Sequence, residues 1–223
     1  MLEVERFNAF IGKANQAYQQ FCVWVATNNE FFKHQERWNN LDPGIGLFGL
    51  EDFTRKHGAR YKNFFGVVIP TLQHSWVLAT ARLFDPAYHH RDIKRVKPRL
   101  SLEYILAELG DKNFSQQIQK EQNPHQKLIN SLKEHRDNFH AHNDVNFTSP
   151  QIKAGIEDLF EWLEDVISMI KKSNSVFNNC NSINLEYNQK LAQCGVDEIF
   201  EDLLRGEKYG NQFPKNYTRD ASK

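Results

Sequence analysis

Arg136-Asp137-Asn138-Phe139-His140-Ala141-His142-Asn143-Asp144 closes a stretch whose side chains are spaced as a helix spaces them. Leu128, Leu132, His135, Phe139 and His142 recur at intervals of four, three, four and three, which is one face of an α-helix. Upstream, Asn123 followed by Pro124 gives a start signal, an N-cap residue with proline at the first helical position. One permanent cation and two imidazoles at the end of such a face exceed what a purely structural helix requires.

The same periodicity extends in both directions. Phe7, Ile11, Ala14, Tyr18, Phe21 and Val25 mark an amphipathic helix from near Glu3 to the region 31–38. The run Asp42-Pro43-Gly44-Ile45-Gly46 interrupts it, because proline and glycine together disfavour helix, and a loop is expected to follow. Ile69, Leu72, Trp76, Ala79 and Leu83 resume the spacing, with Pro70 in a first turn or at a kink, and Asp85-Pro86 ends it. Ser101 reads as the N-cap of a short helix that Gly110 stops. Ser149-Pro150 opens another helix, with Ile156, Leu159, Phe160, Leu163, Ile167 and Ile170 on one side and Trp162, Val166 and Met169 on another, so it is expected near the centre of the core.

Beyond a polar link at 178–182, two weaker helical stretches lie around 185–192 and 196–204, and a tail starts at Gly206. No alternating strand and no internal repeat is found. The expected architecture is all-α, a bundle of four to five main helices over residues 1–177 with a C-terminal helical extension and tail over 178–223.

Composition narrows the function classes. The 223 residues are 40% hydrophobic, enough for a real core, and the 28 Lys+Arg balance 28 Asp+Glu to a formal net charge of zero. No global basic field draws in nucleic acid, so any such binding must be local. The three cysteines, Cys22, Cys180 and Cys194, lack a C-x-x-C spacing and suit reduced thiols, which points to the cytoplasm. The charged start Met1-Leu2-Glu3-Val4-Glu5-Arg6 does not read as a signal peptide, and no run of about 18 apolar residues suited to a membrane is expected.

An Arg and a His separated by five residues, with Asp after the Arg and Ala before the His, resembles the signature of the HEPN superfamily of small helical proteins, its abortive-infection (AbiU-like) branch above all. Many members are metal-independent ribonucleases. The resemblance therefore implies an endoribonuclease of phage defence or of a toxin–antitoxin pair, leaving 2′,3′-cyclic phosphate and 5′-OH ends. It puts His142 in the acid/base role and Arg136 on the phosphate, with Asp137 at the supporting polar position. It also implies a homodimer in which two copies of this helix share one groove, and an antitoxin protein as a further partner. Family members often carry a Tyr two residues after the His as a modification site. Asp144 stands there in this chain, so tyrosine nucleotidylation is not expected.

The residue types suit that chemistry. Cleavage without a metal needs the 2′-OH deprotonated, the leaving 5′-oxygen protonated and the charge growing on the phosphate stabilised. An imidazole titrates near working pH, and a guanidinium stays charged and offers a planar fork to phosphate oxygens. Six residues at about 100° each leave Arg136 and His142 roughly 120° apart, whereas His140, four residues after Arg136, lies on its face as a second proton carrier or a simple neighbour. Arg91, Lys94, Arg95, Lys97 and Arg99 form a basic stretch suited to contacting an RNA backbone, or to being a solvated loop.

Rival readings use the same residues. His135 and His142 on the apolar face fit core histidines. His135, His140, His142 and Asp144 offer metal ligands, but neither His-Glu-x-x-His nor adjacent His-Asp is present, and no metal or other cofactor is expected. The second function class is a non-catalytic helical module that binds a nucleotide, RNA or a protein partner in the same groove.

Overall fold

The computed structural model describes residues 2–39, 50–87, 98–139 and 150–210, and every element in them is helical. The apolar face of α1 (Val4–Asn39) buries Phe7, Ile11, Ala14, Tyr18 and Phe21 as the spacing predicts. Near Val25 the buried line moves over to Trp24. Antiparallel helices joined by short connections are the simplest way to cover such a face.

α1 packs along α2 (Leu50–Leu83), where Trp76 is the hub. Its ring lies 5.3 Å from Phe21, edge-on, and 5.5 Å from Trp24. From the other side α6 (Pro150–Ser173) inserts Ile156, Leu159, Phe160, Leu163, Val166, Ile167 and Ile170, all buried, with Phe160 4.9 Å from Tyr18. Trp162 and Met169 are only partly buried, so α6 is central on one broad face while its acidic residues keep solvent contact.

Between these long helices sit α3 (Leu102–Leu109), α4 (Lys112–Gln122) and α5 (Gln126–Phe139). The Ser101 hydroxyl caps α3 by accepting from the Tyr104 N–H, and Gly110 ends it at φ 74°, a left-handed turn that a side chain would strain. Asp111 at once caps α4, its Oδ1 accepting from the Phe114 N–H at 3.0 Å. α3 and α4 thus meet at a sharp corner. The Asn123-Pro124 signal produces a single 3₁₀ turn, Asn123–His125, leading into α5.

Four expectations change. α2 begins at Leu50, about five turns before Pro70, which lies inside the helix; the mainly polar residues 51–63 hide its start. α4 has only Phe114 and Ile118 as an apolar pair, too few to register as a helical face. The two weak C-terminal stretches are one helix, α7 (Leu185–Gly210), in which Gly195 is tolerated and which continues past Gly206. Finally, Phe64–Leu83 in α2 is long and apolar enough to cross a membrane by length and composition, contrary to the expectation of no such run. About a third of it is buried: Gln73, Trp76, Val77, Thr80 and Ala81 sit in the interior, while Phe64 and Val67 are exposed.

Polar contacts dock α7. The Asn15 side chain donates to the Ser182 carbonyl at 3.0 Å and accepts from the Asn184 N–H at 3.2 Å, while Asn8 accepts from the Asn181 N–H at 3.0 Å. Gln189 then donates to the Tyr18 hydroxyl at 2.7 Å. Farther along, Val196 and Phe200 pack with Ala26 and Phe65 in a second small core, the Phe65 and Phe200 rings stacked at 5.0 Å. The three cysteines are free thiols.

Because Trp76 joins the aromatic residues of α1 to α2, Trp76→Ala should cost about 3–5 kcal/mol. Denaturant unfolding of the variant checks this; a loss below about 1 kcal/mol would mean that the core is centred elsewhere.

Candidate functional site

Ile129 and Leu132 are fully buried and fix the rotation of α5, which places Arg136, one turn beyond Leu132, beside the end of α2. There the chain stops being helical: Phe84 and Asp85 form a last turn back to Ala81 and Arg82, and Pro86 has no N–H with which to continue. Asp85 is left 4% exposed, pointing at α5. Arg136 Nη1 donates to Asp85 Oδ1 at 2.5 Å. The other carboxylate oxygen, Oδ2, accepts from Arg99 Nη1 at 2.9 Å.

One buried carboxylate therefore holds two guanidiniums that are 37 positions apart in the chain. The Arg99 backbone N–H also donates to the Ala87 carbonyl at 2.9 Å. Ala87 and Arg99 are thereby tied together beside Asp85 and Arg136. Of the five residues expected to contact RNA, Arg99 is at the site; Arg91, Lys94, Arg95 and Lys97 lie outside the described residues, as do His140 and His142.

Asp137 supports Arg136 from its own helix, Oδ1 accepting from the Arg136 Nε at 2.8 Å. The Arg136 side chain keeps 18% exposure and that of Arg99 40%, so both reach solvent from one rim. Burial opposes the Arg136 charge, but hydrogen bonds to Asp137 and Asp85 more than offset it and raise its pKa. Among the described residues these bonds use Nε and Nη1, so the Nη2 side of the fork is the one they leave open.

Lys133, one turn before Arg136, completes the cationic edge. Burial lowers its pKa, and Asp85 pulls it back up. His135 turns the other way, toward α2, where burial first and the neighbouring His74 second lower its pKa. It is partly buried, as the core-histidine reading expects. Asp85 was invisible as a site residue in the sequence, where it reads only as a helix stop; the available signal was a lone acid inside the apolar run Leu83-Phe84-Asp85-Pro86-Ala87. Among the described residues no three His, Cys, Asp or Glu side chains group as metal ligands, and Asp144 falls outside them with His140 and His142.

The family model of AbiU2, a HEPN-type family, matches residues 9–193, more than half of the chain. No curated protein and no solved structure matches.

Asp85→Asn should remove the charge that Arg136 and Arg99 share, leaving Arg136 with Asp137 alone. Breaking a fully buried pair costs about 3–5 kcal/mol, and the solvent contact of both arginines puts this variant at the lower end. Urea unfolding measures it, and a variant as stable as the wild type would show that the cluster is solvated. Acid should also weaken the fold through His135. Its folded pKa lies below the ordinary 6.5, so its contribution is complete above that value and is lost as pH falls below it toward the folded pKa. The Tm should drop between about pH 7.5 and about pH 5.5, and His135→Gln should flatten the drop. An unchanged slope in that variant would move the acid sensitivity to other groups, such as His125, whose pKa burial also lowers.

Proposed function

Since the chain belongs to the AbiU2 family of HEPN-type abortive-infection proteins, we propose that it is a metal-independent endoribonuclease of a phage-defence or toxin–antitoxin system. The observation that supports this most is the Arg136 guanidinium held by Asp85 and Asp137 at a solvent-facing rim, with Arg99 on the same carboxylate. A preset guanidinium offers its fork to the phosphate without a reorganisation cost at the moment of reaction.

In this reading a base removes the proton of the 2′-OH, the 2′-oxygen bonds to phosphorus, and the bond from phosphorus to the 5′-oxygen breaks. The leaving oxygen takes up a proton, giving a 2′,3′-cyclic phosphate and a 5′-OH. His142 carries a proton in this exchange, His140 is the candidate second carrier, and Arg136 stabilises the charge growing on the phosphate oxygens. Arg99 with Arg91, Lys94, Arg95 and Lys97 draws in the RNA backbone, which a chain of zero net charge requires locally. Two copies set their α5 ends opposite each other in a homodimer, so a phosphate meets Arg136 and His142 without both lying on one helical face. The protein acts in the cytoplasm, with an antitoxin protein as a further partner.

One observation favours the non-catalytic reading: Asp85 and Asp137 already neutralise Arg136, as in a structural ion pair. Activity separates the two. RNA should be cleaved in the presence of EDTA, and His142→Ala should abolish cleavage with the fold intact. Arg136→Lys keeps a charge beside Asp85 but loses the planar fork, and should cost roughly 10²–10³ in rate. Cleavage that requires a divalent ion, or a fully active Lys variant, would contradict the mechanism. The solution mass should be about twice 26.2 kDa. Mixing inactive Arg136→Ala and His142→Ala chains should restore part of the activity if the groove is shared.

A further inference from the structure

We propose that the cleft enclosed by α3, α4 and the start of α5 seats a single nucleobase of the RNA strand whose phosphate reaches Arg136. The inference rests on the reading of RNA as substrate and adds a site that the signature does not contain. The cleft has a volume of about 320 Å³, at the lower limit for small-ligand pockets and matched to one nucleotide rather than a longer strand. Its two walls differ in chemistry.

Phe84, Leu102 and Leu106, each more than nine-tenths buried, form a narrow apolar floor, while Gln119, Gln122 and Gln126 present carboxamides and Glu103 a carboxylate. A flat, mostly apolar ring with hydrogen-bonding edges fits between such walls, since each carboxamide sets a donor beside an acceptor as base edges do. The amides are partly ordered beforehand. Gln126 donates to Asn130 Oδ1 at 2.8 Å and accepts from Gln122 Nε2 at 3.3 Å, so among the described residues the Gln122 Oε1 remains to accept from a base amino or imino group.

Lys133 sets the direction of the strand. It lines the cleft, and its ammonium also feels Asp85 and Arg136. Three residues along α5, about 4.5 Å of rise, separate it from Arg136. A base in the cleft therefore brings its own phosphate to Lys133 and Arg136 without a second binding surface.

The test is calorimetric titration of the full chain with the four nucleoside 5′-monophosphates and with ribose 5-phosphate, which has the phosphate and sugar but no base. At least one nucleotide should bind about tenfold more tightly than ribose 5-phosphate. Ala107→Trp, at an exposed position on the rim of the cleft, should fill it and remove that advantage, with Gln122→Leu as a variant of nearly unchanged volume that weakens it. Equal binding of all five compounds, or a base preference untouched in both variants, would overturn the proposal. Failure of the ribonuclease reading looks different: base-dependent nucleotide binding without RNA cleavage would keep the pocket and discard the enzyme. Cleavage without any base-dependent binding would do the reverse.

Discussion

The buried carboxylate of Asp85 is the constraint on which the rest of the site depends. A charge in that position is costly unless it is matched, and the chain matches it twice, with Arg136 from α5 and Arg99 from beyond the basic stretch. Three distant segments are thereby fixed to one point: the end of α2, the return of the chain at Arg99 and the last turns of α5. The apolar core would hold α2 and α5 together without it. The Asp85 carboxylate, together with Asp137, specifies where the guanidinium of Arg136 stands.

In the proposed reaction the same bond also bears on the chemistry. A guanidinium that waves in solvent must be ordered when substrate arrives, and that ordering subtracts from binding or rate. Here Asp85 and Asp137 hold it in advance, at the expense of part of its charge. In the proposed function a phosphate therefore approaches the remaining face of the fork and competes with a carboxylate, which suits a site selective for a well-placed phosphodiester over any passing polyanion. Zero net charge over the whole chain points the same way, since attraction then comes from Arg99, Arg136 and Lys133 at one edge.

Long, strongly periodic elements were legible in the sequence. The α1 and α6 faces, the Ser101 cap and the Gly110 stop occur where spacing and residue type put them, because each depends on contacts within a few turns or on backbone conformation alone. α4 and the first part of α2 were not, since their apolar residues are too sparse to show a period. The continuity of α7 was obscured in the same way by Gly195. At the site, Arg136 and Asp137 were legible from their signature, while Asp85 was not: its role arises from a contact across 51 positions, and no local pattern encodes that. Lys133 and the glutamines of the α3–α4 cleft escaped notice for the same reason.

The claim that Asp85 presets Arg136 for a phosphate is tested most directly by a crystal structure of the protein with a short RNA whose attacking 2′-OH is replaced by hydrogen. The account predicts a phosphate oxygen on the open side of the Arg136 fork while the bond between Nη1 and Asp85 persists. A phosphate bound away from Arg136, with the guanidinium still closed on Asp85 and Asp137, would contradict it and leave Arg136 as a structural residue.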